Sequence, residues 1–148
     1  MTVISFLAPE DQALALALAI EQRSHAFPWS AETFAGNHGE RYLNLRVDAD
    51  GKMAGFAITQ IVLDEASLFN IAVDPQFQRR GFGKQLLEHL VALLTERGVL
   101  TLWLEVRESN AAAIALYEQM GFNQVSRRAR YYPTATGRED ALLMALVL

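Results

Sequence analysis

The chain has 148 residues, 51% hydrophobic and 20% charged, with 9 Gly, 4 Pro and no Cys, a composition that reads as one globular domain over residues 1–148 and excludes a disordered chain. The lack of cysteine excludes disulfides, thiolate nucleophiles and Cys-based zinc or iron centres, and the apolar run Ala13 to Ile20 falls far short of the about 20 residues that span a bilayer. The formal net charge of −4 is uneven, ten acids facing four bases up to residue 75 and nine bases facing seven acids after it, without the basic excess or zinc-finger spacing of a duplex-binding protein. With no basic region ahead of an apolar stretch at the N-terminus, the expectation is a soluble cytoplasmic protein with neither a membrane nor a direct nucleic-acid partner.

Val3 to Leu7 reads as a short strand. Pro9, Glu10 and Asp11 open an Ala- and Leu-rich run that favours helix to about Arg23. Ser30 is placed to cap a short helix through Phe34 and Ala35, which the Gly36 to Gly39 stretch ends. Tyr42 to Val47 and Met53 to Leu63, joined by a turn containing Asp50-Gly51, predict a β-hairpin, and Ala66 to Val73 a third strand. From Gly83, Leu86, Leu87, Leu90, Val91, Leu93 and Leu94 recur at helical spacing up to the stop at Arg97 and Gly98. Leu100 to Val106 is an apolar strand holding one acid, Glu105, and Ser109 or Asn110 caps an Ala-rich helix that stops at Gly121. Phe122 to Arg130 and Ala141 to Leu148 complete the chain as strands around a turn at Pro133 to Gly137. The order β-α-α-β-β-β-α-β-α-β-β predicts an α/β protein with a mixed, mostly antiparallel sheet flanked by helices.

Between the third inner strand and the strongest helix lies Val73-Asp74-Pro75-Gln76-Phe77-Gln78-Arg79-Arg80-Gly81-Phe82-Gly83-Lys84. Two glycines at a helix start let backbone N–H groups approach an anion closely, and the helix dipole reinforces the attraction, as for a pyrophosphate. A nucleotide P-loop is excluded because Gln78 and Gln85 stand where it needs Gly and Ser or Thr. A dinucleotide fingerprint fails at Leu86, where its third Gly would fall.

Gln78-Arg79-Arg80-Gly81-Phe82-Gly83 resembles the cofactor motif of the Gcn5-related N-acetyltransferase (GNAT) superfamily. The segments His25 to Ser30, Leu68 to Val73, Trp103 to Arg107, Asn110 to Tyr117 and Arg130 to Pro133 extend the resemblance over nearly the whole chain. They are most similar to members that acetylate the N-terminal alanine of a small-subunit ribosomal protein. The resemblance implies the acetyltransferase fold and acetyl-CoA as co-substrate, without a metal. The backbone of Ile71, Ala72 and Val73 is then expected to pair with the pantetheine arm, Arg79, Arg80, Gly81, Phe82, Gly83 and Lys84 to hold the pyrophosphate, and Asn110 to touch the cofactor further along. Phe82 stands where relatives carry Leu or Ile, but that position offers mainly its N–H.

Two side chains suit proton transfer. Glu105 is an acid in an otherwise apolar strand, where an unpaired carboxylate is costly. It reads either as a general base or as a structural carboxylate paired with Arg107 or capping the next helix. The resemblance makes Tyr117 the acid that protonates the leaving thiolate; read from the residues alone, it is a core aromatic beside Ala113, Ile114 and Leu116. His25, His38 and His89 are isolated in sequence, without metal-ligand spacing. Arg127, Arg128 and Arg130 read as a solvated strand face or as a border to substrate or phosphate. Trp29 reads as a packing anchor that the resemblance also allows in the substrate groove. The function implied is direct attack of a protein α-amino group on acetyl-CoA in a ternary complex. Lysine side chains, a small-molecule amine, or a non-catalytic CoA-binding module are the alternatives.

Overall fold

A computed structural model describes residues 1–148. Its elements are β1 (Thr2–Phe6), α1 (Asp11–Ser24), α2 (Ala31–Gly36), β2 (Leu45–Ala49), β3 (Lys52–Val62), β4 (Glu65–Val73), a 3-10 turn (Pro75–Phe77), α3 (Phe82–Glu96), β5 (Thr101–Arg107), α4 (Ala111–Gln119), β6 (Asn123–Pro133) and β7 (Arg138–Val147). The seven strands form one sheet in the order β1-β2-β3-β4-β5-β7-β6, antiparallel except between β4 and β5.

Two apolar layers cover the sheet. On one face the leucine stripe of α3 (Leu86, Leu87, Leu90, Leu94) is fully buried with Leu45, Val47, Ala57, Leu102 and Leu104, joined by Tyr117 and by Phe122 just beyond α4. On the other face Ala13, Ala17 and Ile20 of α1 and Phe34 of α2 pack on Phe56, Ile58 and Ala72. Alternate residues of β3 thus serve opposite layers, as the two-residue repeat of a strand requires. Ser30 caps α2 by accepting from the Thr33 N–H at 3.1 Å, and Asn110 caps α4 by accepting from the Ala113 N–H at 3.2 Å.

The structure moves three strand boundaries of the sequence reading by three residues, those of β2, β6 and β7, the last starting at Arg138 rather than Ala141. β2 starts at Leu45 rather than Tyr42, because Tyr42 makes only an isolated bridge to Gln60 and its hydroxyl turns back to Asn37 at 3.1 Å. β6 runs on to Pro133 because an irregularity between Arg128 and Tyr132, where Arg130 has φ 51°, lets pairing with β7 resume.

Two irregularities open the functional cleft. β4 pairs with β5 only from Glu65 and Thr101 to Leu68 and Leu104. Beyond that point β4 follows β3 to Val73 while β5 follows β7 to Arg107, so the sheet splits. At the split, Ile58 pairs with Asn70 and Thr59 with Leu68, leaving Phe69 as an unpaired bulge residue.

Candidate active site

The split encloses a cleft of about 610 Å³ whose walls come from the end of α1 and its connection to α2, from β4, from β5, from the start of α4 and from the end of β6. Ile71, Glu105, Asn110 and Tyr117 share it. On the β4 wall the Val73 carbonyl accepts from Ser24 Oγ and from Gln78 Nε2, each at 3.2 Å, while the next N–H, that of Asp74, turns to the Ala54 carbonyl of β3 at 2.8 Å. Val73 therefore directs its peptide groups away from β3, and Ile71, two residues earlier, shares that direction. Ala72 faces β3, where it pairs with Phe56, and its side chain is buried.

The start of α3 lies next to that edge. The first helical bond runs from the Gln85 N–H to the Gly81 carbonyl at 3.0 Å, which leaves the N–H groups of Phe82, Gly83 and Lys84 projecting from the helix end. Gly81 has φ 79° and open space where a Cβ would stand; Arg79 has φ 65°. Arg79, Arg80 and Lys84 are exposed around this end. The Phe82 ring is buried against Phe77, with centroids 6.2 Å apart, so this residue offers only its N–H. A Cβ on Gly83 would meet Leu116 and Val73 at 3.8 and 3.9 Å, ordinary contact distances. Outward N–H groups, an open approach and three cations fit a pyrophosphate.

Glu105 takes neither of the structural roles weighed for it. Its Oε1 lies 3.4 Å from Arg128, too long and loose for a strong bond, and its Oε2 is buried without a hydrogen-bond partner. Arg107 is engaged elsewhere, and Asn110 caps the next helix. Tyr117 is buried in α4 with its ring 5.6 Å from that of Phe122. Burial, with a smaller contribution from Tyr132, pushes its hydroxyl up to about 12, so it is a stable proton carrier at neutral pH.

The cleft also holds features that sequence reasoning missed. Glu21 is 1% exposed, yet its carboxylate accepts from His25 Nδ1 at 2.6 Å and from the Trp29 N–H at 2.9 Å. Burial pushes Glu21 up, but the bonds from His25, Trp29 and Asn70 outweigh it and hold the carboxyl below its usual range. His25 is thus not isolated; the spacing of four on one helix was the available signal. Trp29 lines the cleft and packs edge-on against Phe34 at 6.0 Å. Tyr132, also in the cleft, is likewise raised to about 12, first by burial and then by Glu105 and Tyr131. Arg127 is bound by Glu108 and Asp140, at 2.7 and 2.8 Å, away from the cleft lining.

The chain belongs to the acetyltransferase (GNAT) family, whose profile matches residues 9–122, and the split mixed sheet with a helix N-terminus at its open edge is the architecture it shares with a solved relative. Among its relatives, the [ribosomal protein bS18]-alanine N-acetyltransferase of Salmonella typhimurium is 67% identical over 146 residues, covering 99% of this chain and 97% of that protein. The enzyme of the same name from Haemophilus influenzae is 56% identical over 130 residues, covering 87% and 88%. The crystal structure of the ribosomal-protein-S18-alanine N-acetyltransferase from Escherichia coli superposes with a TM-score of 0.96 at 65% identity, over 99% of this chain and 94% of that one. No helix of the structure is long and apolar enough to cross a membrane.

Proposed function

We propose that the chain transfers the acetyl group of acetyl-CoA to the N-terminal alanine α-amino group of ribosomal protein bS18, by direct attack in a ternary complex. The observation that carries the chemistry is the meeting of Glu105, Tyr117 and the free edge of β4 in one cleft. The choice of acceptor is supported by the named activity of relatives that match almost the whole chain.

When bound, acetyl-CoA supplies the thioester. The outward peptide groups of Ile71 and the N–H of Val73, flanking Ala72, hold its pantetheine arm by strand-like pairing. Arg79, Arg80 and Lys84, with the N–H groups of Phe82, Gly83 and Lys84 beyond the open turn at Gly81, hold its pyrophosphate, and Asn110, which lines the cleft, contacts it further along. Glu105, whose Oε2 is unpartnered, takes the proton from the acceptor amine directly or through water. An α-amine, with an ordinary pKa near 7.7–8.0, is easier to deprotonate than lysine near 10.4 by about 3.4 kcal/mol. Tyr117 holds its proton until about pH 12 and donates toward the sulfur as the C–S bond breaks. Two protons leave the ammonium group in all; one replaces acetyl on sulfur and the other reaches solvent through Glu105.

The test is turnover with acetyl-CoA and a peptide carrying the bS18 N-terminus, compared with the same peptide blocked at its α-amine. Acetylation confined to the free terminus is expected. Equal acetylation of the blocked peptide's lysines points to a lysine acceptor, and no turnover with retained CoA binding points to a non-catalytic module. Glu105→Gln is expected to lower turnover most at low pH, where the amine depends on a base; equal rates from about pH 6 to pH 9 remove Glu105 from the mechanism.

A further inference from the structure

Arg107 follows Glu105 by two residues on β5 and so lies on the same side of the strand, yet its guanidinium serves neither Glu105 nor the cofactor end. It lies 5.0 Å from the Phe27 ring centre and 4.6 Å from that of Tyr132. It also donates to the Pro133 carbonyl at 2.7 Å and stands 3.6 Å from a Glu139 oxygen. Two sets of these partners stand on separate walls of the cleft, Phe27 on the connection between α1 and α2 and Tyr132 with Pro133 at the end of β6, while Glu139 belongs to β7 behind the lining. No hydrogen bond joins residues 25–29 to the β6–β7 end. Phe27 is half-exposed and lines the cleft, with the Arg107 cation over its ring. Arg107 is therefore a strap between two segments that the backbone leaves independent.

We propose that Arg107 is a positioning residue for the acceptor: by tying Phe27 to Tyr132 and Pro133 it closes one end of the cleft beside Glu105, so that a chain terminus is accepted and an internal lysine disfavoured. This rests on the acceptor reading above. A groove closed at one end admits a chain with one flank. An N-terminus continues in one direction from its amine, whereas an internal lysine brings chain on both sides of its Cα, and both flanks must cross the strap before the amine reaches Glu105. The planar guanidinium suits this place because it stacks between two rings while its edge still donates to a carbonyl, which an ammonium does not do.

The test uses the full-length protein with Arg107→Met, Phe27→Ala and the double variant, against an Ala-terminated peptide and an α-blocked peptide with an internal lysine. Phe27 is half-exposed, so its truncation gives a folded variant even if Arg107→Met does not fold. Each single variant is expected to raise KM for the Ala-terminated peptide about tenfold with kcat changed less than about threefold, and to narrow the preference for it over the lysine peptide. CoA affinity by calorimetry is expected to stay within about twofold of the parent, and the double variant to be no worse than the poorer single one, because both remove one strap. An unchanged KM, an unchanged preference, or effects that multiply in the double variant overturn the proposal. Hydrogen exchange reads the strap without turnover: the Trp29 amide, bonded to Glu21, exchanges faster in Arg107→Met, and unchanged exchange overturns the strap. Failure of the parent protein to acetylate the Ala-terminated peptide, with the exchange result intact, would instead overturn the acceptor reading.

Discussion

Tyr117 shows how burial and chemistry combine in one side chain. A phenol raised to about 12 does not ionise at working pH, so it keeps a donor for the sulfur. It is a weaker acid than a thiol of ordinary pKa near 8.5; in the proposed mechanism its contribution is a hydrogen bond that strengthens as charge builds on sulfur, with net proton delivery completed afterwards. Tyr117→Phe is therefore expected to lower kcat toward the low end of the about 10²- to 10⁴-fold range of acid catalysis, with CoA affinity and melting temperature nearly unchanged. A variant keeping more than about a third of parental turnover leaves Tyr117 as packing. In the parent, kcat/KM should rise as the α-amine loses its proton and show no falling limb from Tyr117 before about pH 12; a pH–rate profile checks this. Glu105 was legible as an acid in an apolar strand, but its freedom from Arg107 was not, because the partners of Arg107 come from residues 27, 132, 133 and 139.

At the scale of elements, the turn into α3 and the pairing of β3 with β4 carry the cofactor side. Gly81 and Gly83 look equivalent in sequence but differ in place. Gly81→Ala forces a side chain into a left-handed conformation at about 1–2 kcal/mol and puts a methyl in the open approach, so CoA affinity should fall more than about tenfold. Gly83→Ala meets only ordinary contacts with Leu116 and Val73 and should keep affinity within about threefold; calorimetry on both variants separates these outcomes. Gly55 is needed for a different reason. A Cβ there would stand 2.6 Å from the Ala72 carbonyl oxygen, a backbone atom that cannot turn aside. Gly55→Ala should cost about 1–3 kcal/mol and weaken CoA binding too, since shifting Ala72 moves Ile71 and Val73. Thermal melting and calorimetry on that variant check both effects.

Across the whole molecule, the end of α1 ties the acceptor and cofactor sides together. Within four residues Glu21 holds Trp29, Arg23 pairs with the buried Asp74 at the entry to the proposed cofactor loop, and Ser24 bonds Val73. Burial pushes Asp74 up, but Arg23 and the Gln76 N–H outweigh it and hold the carboxyl below its ordinary value. A lowered value in the folded state means that ionised Asp74 stabilises the fold above the usual carboxylate range, and that this contribution is lost as pH falls through the folded value. The melting temperature should therefore drop between about pH 5 and pH 3. Asp74→Asn should melt lower than the parent at neutral pH and show a shallower acid decline, a comparison that calorimetry across this range makes directly.

What the sequence determined by itself is local. The leucine stripe of Leu86 to Leu94, the stop at Gly98, the caps Ser30 and Asn110 and the cradle from Gln78 to Lys84 depend on residues a few positions apart, and all twelve segments from Thr2 to Val147 except the Pro75–Phe77 turn were legible in order. The resemblance carried by the cradle and the segments around it supplied the roles. Only the tertiary structure decided where the sheet splits, because the end of β4–β5 pairing is set by register between strands more than thirty residues apart, and the bulge at Phe69 by a register shift inside the β3–β4 hairpin that no sequence pattern marks. It alone decided that Arg128 rather than Arg107 approaches Glu105, and that Arg107 straps Phe27 to Tyr132. A charged side chain in a strand has no pattern that names its partner; the partner is whichever group the sheet brings within reach.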